Sequence, residues 1–294
     1  MTISFQNIGI IGKYNDSTVG EMVKTLYGYL TEKQVNVLLD EGTAQNNPGL
    51  EIPTADRDTM SRECELIIVV GGDGTLLNAA RSLAQSSVPL IGINLGRLGF
   101  LTDVSPDMLQ TCLDEILAGN YREEERFLLH ATMLRNGEHI SDSFAFNDVV
   151  MHKWDIARMI EIDTYIDGNY VSTMRADGLI VSTPTGSTAY ALSGGGPIIQ
   201  SNLEALVLVP ICPHTMTNRP IVVDANSKIE VVVGSGQSAQ VTCDGQINLG
   251  LVANDRVVIQ KHPNPVRLIH PPTYDYFEIL RAKLRWGGRL EDKN

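Results

Sequence analysis

The first third of the chain alternates short apolar runs with segments whose apolar positions recur at helical spacing. The run 66–70, LIIVV, is continuous and mostly β-branched, which is typical of a strand buried on both faces of a parallel sheet. Strands of this kind in alternation with helices predict a doubly wound, Rossmann-like α/β domain with a parallel sheet over residues 1–123. The predicted strands are 8–11, 35–39, 66–70 and 89–93, and the predicted helices begin near residues 18, 76 and 106.

Local signals predict where two helices begin. Thr18 and Glu21 have the spacing of a capping box, in which the two side chains bond reciprocally to backbone N–H groups at the helix start. Ser105 and Pro106 suit the N-cap and the first helical position. We therefore expect one helix to open at Thr18 and another to follow Ser105.

The remainder of the chain reads as short strands separated by tight turns. The dipeptides Asn136-Gly137, Asp167-Gly168 and Asp244-Gly245 are typical of two-residue hairpin loops. Apolar runs at 205–211, 229–233 and 257–259 fit the same mostly antiparallel pattern. We predict a β-rich, β-sandwich-like domain over residues 124–272.

The end of the chain returns to a helical pattern. Residues 274–286 follow Pro271-Pro272 and carry apolar positions at helical spacing. We expect this C-terminal helix and tail, residues 273–294, to pack back on the first domain.

Charge restricts the possible partners. The chain has 23 basic and 35 acidic residues and a net charge of −12, which argues against sequence-independent binding to nucleic acid or to an anionic membrane. An anionic ligand gains nothing from this overall field. Phosphate groups would have to be held locally, by backbone N–H groups, a helix N-terminus or a bound cation.

Two further patterns concern location and metals. No apolar run approaches the roughly 20 residues of a membrane span, and the N-terminus has no basic region before its apolar stretch, so we expect a cytoplasmic protein. The cysteines lack zinc spacing and are expected to be buried free thiols, and the six histidines form no metal-binding pattern. We predict no protein-built metal site.

The strongest short signal is a glycine-rich turn with one carboxylate, Gly71-Gly72-Asp73-Gly74-Thr75, between the run 66–70 and a predicted helix. Ligands of open parallel sheets bind beyond the carboxyl ends of the strands, where glycines let the backbone approach phosphate. A carboxylate beside phosphate is unfavourable unless it contacts Mg²⁺ or takes a proton from an attacking hydroxyl. The alternative is a tight turn in which Asp73 only caps the helix.

A second signal is the run 177–198, DGLIVSTPTGSTAYALSGGGPI. It leads from a predicted strand into hydroxyl side chains and then into three consecutive glycines. Such a segment offers hydroxyl groups and open backbone to ribose and phosphate, and Tyr190 offers an aromatic face to a base. The alternative is a serine- and glycine-rich surface loop.

These segments resemble known kinase motifs. Residues 71–75 are similar to the GGDGT motif shared by NAD kinases, diacylglycerol and sphingosine kinases and, more distantly, phosphofructokinases. The run 177–198 resembles the long motif in the C-terminal domain of the NAD kinase family. Asn147-Asp148 and the segment 94–100, NLGRLGF, also resemble elements of that family, with Asp148 where many members have Glu.

The resemblance implies an ATP-dependent NAD kinase. The γ-phosphoryl group of ATP, carried with Mg²⁺, would pass to the 2′-hydroxyl of the adenosine ribose of NAD, giving NADP and ADP. Asp73 would act as general base, and the chain would form a homo-oligomer, a dimer or a tetramer. The residues that the resemblance places at the nucleotides are Gly72, Asp73, Gly74, Asn147, Asp148, Arg158, Arg175, Asp177, Thr188, Ala189, Tyr190, Ser193 and Gln246.

The sequence leaves two other functions open. A lipid kinase of the diacylglycerol or sphingosine type shares residues 71–75, but it commonly has a membrane-binding surface, which a net charge of −12 does not favour. A regulator that senses NAD(P) without turnover would gain nothing from a carboxylate at Asp73 beside the phosphates.

Overall fold

The computed structural model describes residues 4–14, 16–96, 98–155, 158–234 and 238–286, and the chain forms two compact units. The first unit comprises Met1–Glu125 with Val266–Asn294, and the second comprises Arg126–Pro265. The predicted ranges 1–123, 124–272 and 273–294 differ from these units chiefly at 266–272. That segment belongs to the first unit, because its strand joins the first sheet.

The helices and strands follow in chain order. The helices are α1 Ser17–Glu32, α2 Glu41–Asn46, α3 Arg57–Glu63, α4 Asp73–Ser82, α5 Leu109–Leu117, α6 Tyr190–Ser193 and α7 Tyr276–Leu284, with 3-10 turns at Pro106–Met108 and Thr185–Thr188. The strands are β1 Asn7–Gly12, β2 Asn36–Asp40, β3 Thr54–Ala55, β4 Leu66–Gly71, β5 Leu90–Asn94, β6 Arg122–Arg126, β7 Leu129–Arg135, β8 Glu138–Ala145, β9 Asp148–Lys153, β10 Ile160–Ile166, β11 Asn169–Ala176, β12 Gly178–Ser182, β13 Ala205–Ile211, β14 Ile221–Asp224, β15 Ile229–Val233, β16 Ser238–Cys243, β17 Ile247–Val252, β18 Arg256–Lys261 and β19 Val266–His270.

The sheet of the first unit has the strand order β3-β2-β1-β4-β5-β19-β6. Strand β1 pairs in parallel with β2 and with β4, and β5 pairs in parallel with β4 and with β19. The strand order therefore reverses between β1 and β4, which is the point where open α/β sheets bind ligands. The predicted doubly wound α/β fold is confirmed for this part of the chain.

Strand β4 is buried along its whole length, as its unbroken apolar sequence predicts. Residues on one face of the sheet share a core with α1 and α5, which turn apolar stripes toward it. The stripes consist of Val19, Val23, Leu26 and Leu30 on α1 and of Leu109, Cys112, Leu113, Ile116 and Leu117 on α5.

Helix α1 begins differently from the prediction. Its N-cap is Asp16, whose carboxylate accepts the Thr18 N–H at 3.1 Å and the Thr18 hydroxyl at 2.7 Å. The predicted capping box of Thr18 and Glu21 is therefore wrong. Asp is as good an N-cap as Thr, and Asp16 precedes Thr18, so the N-cap lies two residues earlier than predicted. The Thr18 hydroxyl and the Lys13 ammonium lower the pKa of Asp16 to about 2.

Three short elements between β2 and β4 were not predicted: α2, β3 and α3. Asp40 caps α2 through the Thr43 N–H, and Asp56 caps α3 through the Thr59 N–H. The signal available in the sequence was the recurring Asp-x-x-Thr spacing, since both helices are too short to show apolar periodicity.

The second unit contains two six-stranded antiparallel sheets. Sheet B has the order β11-β10-β15-β18-β7-β8, and sheet C has the order β14-β13-β12-β9-β16-β17. Inward side chains of both sheets, such as Met133, Ile162, Val181 and Val241, form one apolar core. The predicted β-rich, sandwich-like fold is confirmed.

Hairpin turns fix the registers of this unit. Asn136, Asp167 and Asp244 have φ values of 52°, 51° and 49°, and the glycine after each also has positive φ. Positive φ at both central residues is the requirement of a type I′ turn, so the turns predicted at the three dipeptides are confirmed.

Among the described residues, no helix combines the length and the apolar character that crossing a membrane requires.

We predict that Asp16→Ala lowers the stability of the first unit by about 1 kcal/mol, because two donors at the start of α1 lose their acceptor. The urea midpoint at pH 7 measures the change. The folded-state pKa of Asp16 is depressed, so its contribution is fully present at that pH and is lost only as the pH falls toward about 2. Asp16→Asn keeps the acceptor and should retain most of the stability. Equal midpoints for the Ala variant and the wild type would contradict the capping role.

Candidate functional site

The turn after β4 lies at the reversal of strand order in the first unit. A Cβ atom on Gly71 would lie 2.4 Å from the Thr75 hydroxyl oxygen, so this position has no room for a side chain. A Cβ atom on Gly72 would meet nothing within 4 Å, and Gly74 is exposed. The turn is thus tightly packed against its own helix on one side and open on the other.

Asp73 is half-buried and is the first residue of α4. Helix α4 starts at extended Gly72 and has no side-chain cap, so the alternative in which Asp73 only caps this helix is wrong. The Asp73 carboxylate instead accepts the backbone N–H groups of Phe100, Leu101 and Thr102 at 2.8, 3.0 and 3.2 Å. It also accepts the Thr102 hydroxyl at 3.1 Å.

The loop that supplies these donors is the NLGRLGF segment and the two residues after it. Gly99 is required there because its Cβ would lie 2.0 Å from Oδ1 of Asp73. In the structure, Gly99 therefore lies against a carboxylate of the protein itself. Arg97 of this segment lies outside the described residues.

The second unit presents a pocket of about 730 Å³ on the outer face of sheet C. Strand alternation creates it: Asp148, Val150 and His152 on β9 line the pocket, whereas Val149 and Met151 between them enter the core. Strand β16 repeats the pattern, with Gln240 and Thr242 outward. The complete lining is Asn147, Asp148, Val150, His152, Lys153, Trp154, Asp155, Asp177, Ala189, Tyr190, Ile211, Gln240, Thr242, Asp244 and Gly245.

Asp148 is the most unusual group in this pocket. It is only 4% exposed, and burial together with the neighbouring charge of Asp244 raises its pKa to about 7. A carboxyl with this pKa changes its charge near neutral pH. In an apolar setting it accepts hydrogen bonds from a ligand hydroxyl with little competition from water.

Asp244 organises the chain before β9. Its carboxylate accepts the backbone N–H groups of Phe146, Asn147 and Asp148 at 3.0, 2.7 and 3.2 Å. The Asp244 N–H in turn donates to the Asp148 carbonyl at 3.0 Å. The Asp244-Gly245 hairpin therefore holds the backbone from which the Asn147 and Asp148 side chains project into the pocket.

Most hydroxyl groups in the run 177–198 have structural partners. The Thr183 hydroxyl donates to the Phe146 carbonyl at 2.7 Å, and the Ser187 hydroxyl donates to the Pro184 carbonyl at 2.6 Å. A Cβ on Gly186 would lie 2.2 Å from the Asn147 carbonyl oxygen. The prediction that this run offers its hydroxyls to a ligand is wrong for these two, which are fully buried and join loop to loop.

The run 177–198 also divides the outer face of sheet C into a covered part and an open part. Ala191 and Ile199 pack with Val150, Ile180 and nearby valines in a small apolar cluster on that face. The part that this segment leaves uncovered is the pocket, and Ala189 and Tyr190 form its border. Tyr190 is 46% exposed, so its ring is accessible to a ligand.

The predicted site residues therefore fall into groups. Gly72, Asp73 and Gly74 lie on the turn after β4. The structure brings Asn147, Asp148, Asp177, Ala189 and Tyr190 together in the pocket, where Asp177 also pairs with the Lys153 ammonium at 2.7 Å. The remaining predicted residues are absent from the pocket lining: Arg158, Arg175, Thr188, Ser193 and Gln246.

These five residues occupy varied positions. Arg158 and Arg175 are exposed, the latter on the edge strand β11. Ser193 is exposed at the end of α6, and the half-buried Thr188 donates its hydroxyl to the Thr185 carbonyl at 3.3 Å. Gln246 is exposed in the turn next to Gly245.

Two residues of the pocket lining, His152 and Gln240, were not predicted from the sequence. His152 on β9 lies opposite Gln240 on β16, and the Gln240 amide lies 3.2 Å from the His152 ring nitrogen. Burial lowers the pKa of His152. The available signal was the alternation of Asp148, Val150 and His152, which places all three on one face of a strand.

No group of three His, Cys, Asp or Glu in the described ranges has the geometry to hold a metal ion.

Comparison with protein families gives two matches. The ATP-NAD kinase N-terminal domain matches residues 8–121, and the ATP-NAD kinase C-terminal domain matches residues 146–271. Among curated proteins, the NAD kinase of Nitrosococcus oceani is 49% identical over 99% of this chain and 100% of its own length. The NAD kinase of Pseudomonas syringae pv. syringae is 49% identical over 97% of each chain.

Solved structures share the fold. A yeast NADH kinase complexed with NADH has a TM-score of 0.88 at 24% identity, covering 98% of this chain and 90% of its own. An NAD kinase from Archaeoglobus fulgidus in complex with ATP has a TM-score of 0.75 at 28% identity, covering 95% of this chain and 98% of its own. With both family domains matched and relatives of nearly half identity along its whole length, this chain belongs to the ATP-NAD kinase family.

Proposed function

We propose that this chain transfers the γ-phosphoryl group of ATP to the 2′-hydroxyl of the adenosine ribose of NAD, giving NADP and ADP. The observation that carries the proposal is the match to both domains of the ATP-NAD kinase family. The pocket supports it, because a carboxyl, an amide and an accessible aromatic ring suit a ribose and a base better than a lipid chain. The lipid-kinase alternative loses its support for this reason.

The donor nucleotide is assigned to the turn after β4. The open space beside Gly72 allows phosphate oxygens to approach the backbone at the N-terminal end of α4, where the helix dipole favours an anion. This arrangement offers local attraction to an anion in a chain whose net charge is −12. We therefore assign Gly72, Asp73 and Gly74 to the phosphates of ATP.

Magnesium is proposed to arrive with ATP. Mg²⁺ commonly binds through substrate phosphates, water and one or two carboxylates. The turn fits such an ion, because the half-buried carboxylate of Asp73, an oxygen ligand of the kind that Mg²⁺ prefers, adjoins the open space beside Gly72. When bound, the ion would neutralise negative charge on the transferring group.

Asp73 is proposed as the general base. Its carboxylate is anchored by four donors, so its position does not depend on a mobile side chain. A base held in this way removes the proton from the attacking hydroxyl as the new bond to phosphorus forms. Positioning and neutralisation of charge contribute most of the remaining rate enhancement.

The acceptor nucleotide is assigned to the pocket on sheet C. Asn147 and Asp148 would bind ribose hydroxyls, with the buried Asp148 carboxylate as acceptor. Tyr190 would stack on a base, and Ala189 allows the close approach of its ring. Asp177 would accept from an amino group once a ligand competes with Lys153 for it.

The remaining five residues keep their predicted roles as proposals. Arg158 and Arg175 are exposed cations suited to the pyrophosphate. Thr188, Ser193 and Gln246 are assigned to the dinucleotide on the family resemblance. A homo-oligomer, dimer or tetramer, in the cytoplasm is likewise proposed, and light scattering of the purified protein would measure its mass.

The function is tested by incubating purified protein with NAD, ATP and MgCl₂ and measuring NADP with an NADP-specific dehydrogenase. We expect NADP to form at the expense of ATP, and excess EDTA to abolish its formation. Diacylglycerol and sphingosine serve as parallel acceptors. Phosphorylation of a lipid with none of NAD would overturn the assignment.

We predict that Asp148→Asn raises the KM for NAD and leaves the KM for ATP unchanged, while stabilising the protein at alkaline pH. The pKa of Asp148 rises from 3.8 in the unfolded chain to about 7, so the stability it contributes is present in acid and lost as the pH rises through 7. The Asn variant should therefore gain stability at pH 8, on the order of a few kcal/mol, and less at pH 5.

Thermal midpoints at pH 8 and pH 5 measure this change. Asp107→Asn, at an exposed position, controls for removal of one negative charge from an acidic chain. An Asp148→Asn variant with an unchanged KM for NAD, or with no gain in midpoint at pH 8, would contradict the role assigned to this buried carboxyl.

We predict that Asp73→Asn lowers kcat by roughly 10²- to 10⁴-fold, the usual contribution of a general base. Asn has one acceptor oxygen, and both oxygens of Asp73 accept, so the thermal midpoint is measured alongside the kinetics. A kcat close to the wild-type value in a folded variant would remove Asp73 from the mechanism.

A further inference from the structure

The two carboxylate oxygens of Asp73 have unequal surroundings. Oδ1 accepts the Leu101 N–H at 3.0 Å, the Thr102 N–H at 3.2 Å and the Thr102 hydroxyl at 3.1 Å. Oδ2 accepts only the Phe100 N–H, at 2.8 Å, among the described contacts. A carboxylate has about four lone-pair sites, two on each oxygen. Oδ1 is therefore saturated, and Oδ2 retains one site for a further partner.

The loop carrying these donors is fixed at both ends to the sheet. The Leu95 N–H donates to the Gly71 carbonyl at 3.0 Å, immediately before the Asp73 turn. At the other end, the Asn94 N–H donates to the Val104 carbonyl at 2.9 Å, and Val104 forms a parallel bridge with Ile93. The donors are thus held in place by β4 and β5.

Two glycines allow the loop to come this close. A Cβ on Gly99 would lie 2.3 Å from the Thr102 hydroxyl oxygen as well as 2.0 Å from Oδ1 of Asp73. A Cβ on Gly92 of β5 would lie 2.7 Å from the Thr102 methyl carbon. Thr102 is fully buried, so its methyl group packs on β5 while its hydroxyl faces the carboxylate.

We propose that Thr102 is a positioning residue for phosphoryl transfer, whose hydroxyl and N–H group occupy Oδ1 of Asp73 and leave Oδ2 as the atom that receives the proton. The inference rests on the proposed function, in which Asp73 is the general base. The 2′-hydroxyl oxygen forms a bond to the γ-phosphorus, and its proton passes to Oδ2. The bond from that phosphorus to the bridging oxygen breaks, and its electron pair leaves with ADP.

A positioning role predicts a change in rate without a change in binding. Thr102→Val keeps the shape and the backbone N–H but lacks the hydroxyl, so Oδ1 loses one of its three donors and the carboxylate can rotate. We expect kcat to fall by roughly 10- to 100-fold, because a misplacement of about 1 Å costs up to ~100-fold in rate. The KM values for NAD and ATP should remain at wild-type levels.

A matched pair isolates the hydroxyl group itself. Thr102→Ser and Thr102→Ala both lose the methyl group and differ only in the hydroxyl. We expect the Ser variant to keep a kcat close to wild type and the Ala variant to show the loss seen with Val. If the Val variant does not fold, the comparison of Ser with Ala decides the question alone.

The control variant is Thr43→Val. Thr43 is also fully buried in the first unit, and its hydroxyl donates to the Asp40 carboxylate at 2.9 Å at the start of α2. Like Thr102, it is a buried threonine whose hydroxyl donates to an aspartate, but its partner is Asp40 and not Asp73. We expect this variant to lose thermal stability and to keep the wild-type kcat below its midpoint.

The outcomes separate this inference from the proposed function. If wild-type protein makes NADP and Asp73→Asn is impaired, but the Val and Ala variants retain the wild-type kcat, the positioning role is wrong and the function stands. A raised KM at unchanged kcat would also overturn it, because Thr102 would then act on binding. Wild-type protein that makes no NADP would overturn both.

Discussion

The loop segments 100–102 and 146–148 depend on the same interaction, in which one carboxylate accepts the N–H groups of three consecutive residues. Asp73 holds residues 100–102 in this way, and Asp244 holds residues 146–148. Leaving backbone N–H groups buried without an acceptor costs free energy. A single ionised side chain supplies several acceptors at once, so it fixes a whole loop segment. One of the two carboxylates, Asp73, is itself the proposed general base, and the segment held by the other carries Asn147 and Asp148, which are assigned to the ribose.

Much of the architecture could be predicted from the sequence because it depends on local patterns. The strands Ala205–Ile211 and Ile229–Val233 coincide with predicted apolar runs, and the three turns fall at the predicted dipeptides. Short helices capped by Asp40 and Asp56 escaped prediction, since their signal is one cap and no periodicity.

The candidate site was only partly predictable for a different reason. Asp244 and Phe146 are 98 positions apart, and no local pattern indicates that one carboxylate serves the other loop. The buried hydroxyls of Thr183 and Ser187 resemble ligand donors in the sequence, and only their tertiary partners show that they are structural. His152 and Gln240 meet across β9 and β16, so their pairing required the register of those strands.

Strand β19 has a consequence for how the protein is made. It lies between β5 and β6 in the first sheet, although the whole second unit separates it from them in sequence. During synthesis the ribosome must release residues 126–265 before β19 exists, so the second unit has all of its strands while the first sheet still lacks one. Contacts of such long sequence separation form late and slowly. The unit whose synthesis begins first is therefore expected to complete its folding last. Until β19 has been synthesised and has paired, the edges of β5 and β6 are exposed to other chains.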